Sequence, residues 1–239
     1  MIVSLRPTLA FGLILVAGCS STVTMDGPTI PEPRVEKIHV DVALRIPEEF
    51  NKFVHEENVL GKESWTIDLG SANASFFTQL CGHLFDNVTV IGPDDDARDY
   101  EFDALIEPSI DGFEFSVPNQ SKTEAFAVWI RYRLRIFDRE GNSASNWTVS
   151  AYGKSEKEGL GGSSSLQRAA VLAMRDAAAL IIMQLNKSTI IASLADGPVA
   201  APTIQAAVAS DGVQSEQAEA YDEDDMGIFA IGGIDDEAE

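Results

Sequence analysis

Residues 124–137 restrict this chain more than any other stretch. Phe126, Val128, Ile130, Tyr132, Leu134 and Ile136 take every second position, and Ala125, Ala127, Trp129, Arg131, Arg133 and Arg135 fill the places between. A period of two puts the first set on one side of an extended strand and the second on the other. On a helix both sets would be smeared around the circumference. The chain is therefore committed to a β-sheet, with one face turned into a core and one carrying Trp129 and the arginines. Asp138, Arg139, Glu140, Gly141 and Asn142 follow as turn formers, with Gly141 placed where a positive φ is needed. Residues 145–154 return with Trp147, Val149 and Ala151 on one side, so the two runs predict a long hairpin.

Upstream, 35–46 alternate in the same way. Ile38, Val40, Val42, Leu44 and Ile46 oppose Lys37, His39, Asp41, Ala43 and Arg45, and Pro47 stops the run before a short helical turn. A short strand is expected at 64–69. A helix follows at 71–85, capped by Ser71 or Asn73, with Phe76, Phe77, Leu80, Cys81 and Leu84 as its apolar face. Strands are expected at 88–91 and 100–107. The second has Tyr100, Phe102, Ala104 and Ile106 on one face and is ended by Pro108; 109–117 continue it with a bulge at Asp111 and Gly112. The longest helix is expected at 165–186, where Ser164 and Gln167 have capping-box spacing. Val171, Met174, Ala178, Ile181 and Leu185 make its main stripe, and its alanines let it lie close to a sheet. The expected fold is α+β: one domain, a mixed and mostly antiparallel sheet, two main helices on one face, and disordered termini.

The N-terminus reads as an address. A short n-region ends in Arg6, and 8–17 (TLAFGLILVA) are apolar. That run is too short to span a hydrocarbon core, which takes about 20 helical residues, and it fits the middle of a secretory signal. It ends in Leu15, Val16, Ala17, Gly18 and Cys19. This resembles the lipobox of bacterial lipoproteins, which implies cleavage before Cys19 and acylation of its thiol. Residues 1–18 are then the signal peptide. Residues 19–33, rich in Ser, Thr, Pro and Gly, are expected to be a lipidated Cys and a flexible tether. Ser20 stands where Asp would favour inner-membrane retention, so the resemblance implies the periplasmic face of the outer membrane. With Cys19 acylated, only Cys81 remains, and no intrachain disulfide is expected.

Charge narrows the partners. The 239 residues hold 38 acids against 17 bases, for a formal charge of −21. More than half of that excess lies in 196–239, which carry no base at all. The tail is Ala-, Asp- and Glu-rich and is expected to be disordered. Residues 34–195 are left as the folded periplasmic domain. A chain this acidic does not suit a nucleic acid, nor electrostatic docking on an anionic membrane.

Sites of chemistry are sought with little return. Gly153, Lys154 and Ser155 invite a phosphate-loop reading, but the earlier Gly falls at Thr148 and the triplet closes a strand. His39, His55 and His83 have no partner at metal-ligand spacing. Asp94, Asp95, Asp96 and Asp99 lack the Gly and distal Glu of a calcium loop and read as a solvated acidic turn. Cys81 reads as a buried small hydrophobe. No metal, no cofactor and no enzymatic activity is expected. The one unusual feature is the face of Trp129, Arg131, Arg133 and Arg135. Either it is laced to acids on neighbouring strands, such as Glu101, Asp103 or Glu107, or it is an interaction face for an anionic partner.

The order of elements is carried by 76–91 (FFTQLCGHLFDNVTVI), 100–110 (YEFDALIEPSI), 129–141 (WIRYRLRIFDREG) and 169–185 (AAVLAMRDAAALIIMQL). It resembles small bacterial envelope lipoproteins: the lipopolysaccharide-assembly lipoprotein, the activators of penicillin-binding proteins and the curli-secretion type. The resemblance implies helices on one face of a mixed sheet and a partner-binding role in envelope assembly. The expected function is a lipid-anchored periplasmic accessory protein that binds an envelope protein or assembly machine. The alternative is a binder of an anionic lipid or glycan.

Overall fold

In the computed structural model, which describes residues 19–60, 63–121, 123–158, 162–187, 190–194 and 196, thirteen elements and one 3-10 turn follow in order. They are β1 (Cys19–Thr24), β2 (Ile38–Arg45), α1 (Glu48–Asn51), β3 (Val54–Val59), β4 (Glu63–Asp68), α2 (Gly70–Leu84) and β5 (Phe85–Ile91). The 3-10 turn (Ala97–Asp99) precedes β6 (Ala104–Ser116), α3 (Pro118–Ser121), β7 (Ala125–Phe137), β8 (Ser143–Glu156), α4 (Ser163–Lys187) and α5 (Ile190–Leu194). All described residues belong to one unit, Met1–Ala201; a second, Pro202–Glu239, contains none of them. The expected signal peptide and most of the acidic tail therefore lie outside the described residues.

The α+β class stands, built on two sheets. The larger has the order β5-β2-β6-β7-β8, and the smaller β1-β4-β3, with parallel and antiparallel ladders in each. Parallel neighbours need a crossover, and α2 lies in the one that joins β2 to β5. β7 and β8 form the expected hairpin, with Gly141 at φ +86° in its turn. Val128, Ile130, Tyr132, Leu134 and Ile136 are buried. They meet Phe76, Phe77, Leu80 and Leu84 of α2 and the alanine face of α4 in one core. At the crossing of α4 and β8 the backbones nearly touch. A methyl group on Gly153 would overlap the carbonyl oxygen of Ala169 and the nitrogen of Ala173. Gly153 thus serves helix packing, not phosphate binding.

Local departures have physical causes. β6 runs through Pro108, because β2 pairs with it only over Ala104–Ile106; beyond that point β6 has a free side, where a missing N–H is tolerated. Phe102 precedes the strand and turns to the opposite face, where it buries with Ala43, Ile91 and Leu105 in a second small core. Ala43, expected on the wet side of β2, is therefore fully covered. Neither expected cap closes α2: its N-cap is Leu69, and the Asp68 carboxylate accepts from Gly70 N–H at 3.0 Å. Asn73 is buried instead, accepting from the Tyr132 hydroxyl at 2.8 Å. α4 begins at Ser163, so Ser164 falls inside its first turn.

The largest correction concerns 19–33, expected as a tether. Cys19–Thr24 pair with β4 in parallel, and Val23, Met25 and Ile30 are buried. The isolated apolar residues of this Ser/Thr-rich stretch sit at spacings that reach the core. The segment is a strap across the domain.

Candidate functional site

The outer face of the larger sheet is assembled by β7 and its neighbours. Trp129, Arg131 and Arg135 are exposed and Arg133 is half-buried, so the face expected from alternation exists. What it holds differs from strand to strand. Arg135 reaches Glu107 of β6 at 3.1 Å, and Arg45 of β2 reaches the same carboxylate at 2.6 Å. One buried acid thus clamps three adjacent strands. Arg133 binds Asp111 through two nitrogens, one of them at 2.8 Å. Asp111 occupies the bulge where the β6–β7 register shifts between Ile110 and Gly112, and the extra residue aims its carboxylate across the face. The Arg133 guanidinium holds that carboxyl below its ordinary range.

The lacing expected with Glu107 is present. Asp103 pairs with Arg139 of the hairpin turn, at 3.2 Å, and not with the stripe. Asp111 was a bulge in the pattern, and its part in the lacing had no signal in the sequence. Arg131 differs from its neighbours. Its described polar contact is a long hydrogen bond of 3.4 Å to Ser150, and no acid within ion-pair distance is described. Beside it, the Trp129 and Tyr152 rings pack at a tilt of 45° with centroids 5.0 Å apart while remaining 44% and 42% exposed. Asp111, Gly112, Glu114, Trp129, Arg131 and Ser150 edge a shallow hollow of about 270 Å³. Tyr152 had no signal of its own: the register Trp129↔Tyr152 appears only once β8 pairs with β7.

A larger cavity of about 430 Å³ opens at the hairpin-turn end of the same face, between the acidic loop and residues 137–141. Arg45, Arg98 and Arg139 share it with Asp95, Asp96 and Glu107, so its charges are mixed. Two carboxylates of the acidic loop bond within the loop itself. Asp95 accepts from Gly92 N–H and from the Tyr100 hydroxyl, each at 2.8 Å, and Asp96 caps the 3-10 turn and pairs with Arg98. These bonds hold both carboxyls below the ordinary range.

The other sequence candidates separate. Cys81 is buried, which pushes its thiol up to about 12. His39 contacts Asp86 at 2.8 Å, and His55 packs on Phe113 and Phe115. Among the described residues no group of three His, Cys, Asp or Glu side chains is arranged to hold a metal ion, and no helix is long and apolar enough to cross a membrane. Cys19 opens β1, with its backbone in register with Glu63.

No family model and no curated protein matches the chain. Solved structures give distant likenesses. A Xanthomonas campestris protein of family DUF330 is 10% identical, with a TM-score of 0.48 over 74% of this chain and 98% of that one. A minor lipoprotein from Acinetobacter baumannii is 13% identical, with a TM-score of 0.34 over 62% and 92%. A lipoprotein from Neisseria meningitidis is 12% identical, with a TM-score of 0.31 over 62% and 99%. Their descriptions include none of the three envelope groups that the element order resembles. Likeness at this level assigns neither family nor function.

Proposed function

We propose that this chain is a lipid-anchored periplasmic accessory protein, acylated at Cys19 and held on the inner side of the outer membrane. In this reading it binds another envelope protein or assembly machine and carries out no catalysis of its own. Among the groups its element order resembles are lipoproteins of lipopolysaccharide assembly, penicillin-binding-protein activation and curli secretion. The observation that supports a binding role is the exposed, tilted Trp129–Tyr152 ring pair beside Arg131. Aromatic and arginine side chains are the usual anchors of protein interfaces, because they bring large area and multiple donors at small entropic cost.

A photocrosslinker at position 129 tests this in intact envelopes. The expected result is one protein adduct of discrete mass, reduced at least tenfold by Arg131→Gln. Absence of a protein adduct from a folded, acylated chain overturns the reading. The same hollow supports the second reading, an anionic glycan or lipid headgroup stacked on Trp129 and paired with Arg131. An adduct of glycan or lipid mass would select it.

A further inference from the structure

Leu60 follows β3 and is the most exposed large hydrophobic side chain among the described residues, at 63%. Its backbone is left-handed, with φ 52°. A leucine carries a steric penalty there that glycine does not. Its position explains what it could reach. Cys19, Glu63 and Val59 are in register across β1, β4 and β3, so the three strands end together. Two strand spacings separate Cys19 from Val59, about 10 Å, and Leu60 is the next residue.

The connection has no slack. Met25 N–H donates to the Asp68 carbonyl at 2.9 Å, Ile30 N–H donates to Gln79 at 3.3 Å, and Arg175 donates to the Thr29 carbonyl at 3.3 Å. Residues 19–30 therefore cannot act as a spacer while the strap is in place. The polar layer on each side of a hydrocarbon core is several ångströms deep. A backbone carrying acyl chains at Cys19 must sit in that layer, and it brings its own end of the small sheet with it.

We propose that the β3–β4 end of the small sheet, led by Leu60, seats in the interfacial layer of the bilayer that holds Cys19. The proposal rests on the anchor reading above. Leu60 supplies the apolar contact, while β3 also carries Glu56 and Glu57, which gain nothing from anionic lipid. It also sets the direction of the domain. Trp65, two residues into β4, touches Phe126 at the start of β7. The β7–β8 turn lies at the other end of that strand, roughly 40 Å away at about 3.3 Å per residue.

The experiment uses the full acylated chain in vesicles of phosphatidylethanolamine and phosphatidylglycerol. A polarity-sensitive thiol probe is placed by Leu60→Cys, by Val54→Cys at the far end of β3, or by Glu140→Cys in the β7–β8 turn. Buried Cys81 does not compete for the probe. The expected result is a blue shift and at least threefold stronger quenching by lipid-borne quencher at 60 than at 54, with none at 140. Circular dichroism confirms that each variant folds. An acylated chain quenched no more at 60 than at 54 overturns the seating alone. An N-terminal peptide without an acyl group overturns the anchor reading and the seating with it.

Discussion

Arg131, Arg133 and Arg135 occupy equivalent positions on one strand, yet their surroundings divide them. Arg135 shares buried Glu107 with Arg45, Arg133 holds Asp111, and Arg131 faces the aromatic hollow. Two arginines are thus held by acids of β6, while the third has a long hydrogen bond to Ser150 as its described polar contact. The acid–base behaviour of Asp111 follows. Its folded-state carboxyl titrates below its unfolded value, so the pair stabilises the fold above the unfolded pKa, near 3.9. That contribution disappears as pH falls through the lower, folded value, while Arg133 stays charged throughout. Asp111→Asn should lower the melting temperature slightly at pH 7 and flatten its decline below about pH 4. A parallel decline in both proteins would show that the pair contributes no pH dependence. The alternation on β7 was enough to place every arginine on the outer face. It held no information on which acid each would meet, because that depends on a bulge in another strand.

Among the elements, the contact between α4 and β8 is the most demanding. Ala169, Ala170, Ala173 and Ala177 are all buried, and Gly153 lies under the first and third of them. Gly153→Ala should cost about 2 kcal/mol or more by overpacking, a fall in melting temperature of roughly 4–8 °C. Gly112→Ala is the matched comparison: a methyl group there meets nothing nearer than the Arg131 Cβ at 3.9 Å, and its effect should be small. Equal melting temperatures for the two variants would refute the close approach. The two long helices, α2 and α4, and the β7–β8 hairpin were legible because their periodicity is long and their amphipathic faces are complete. β1 and β3 were not, since six-residue strands of Ser, Thr, Glu and His alternate weakly and form only where the rest of the molecule offers an edge. Phe102 and Pro108 misled for a related reason: each obeys what its neighbouring strand leaves uncovered, which the local sequence does not state.

Over the whole molecule, residues 19–30 matter most, because they turn an expected leash into part of the core. Met25 is almost completely buried and joins the cluster that includes Ile67 and Phe77. Met25→Ala should destabilise the unacylated Cys19→Ser protein by about 2–4 kcal/mol, measured by urea unfolding. An unchanged midpoint would restore the tether. The two sheets and both long helices share one cluster, so loosening the strap should be felt by α2 as well as by β4. Cys81 gives access to that motion. In the Cys19-acylated form proposed above it would be the only thiol in the chain, and it is buried in the core from α2. Thiol reagents can reach it only while α2 is lifted from the sheet. Its slow modification in an otherwise native sample is then a clock for that opening.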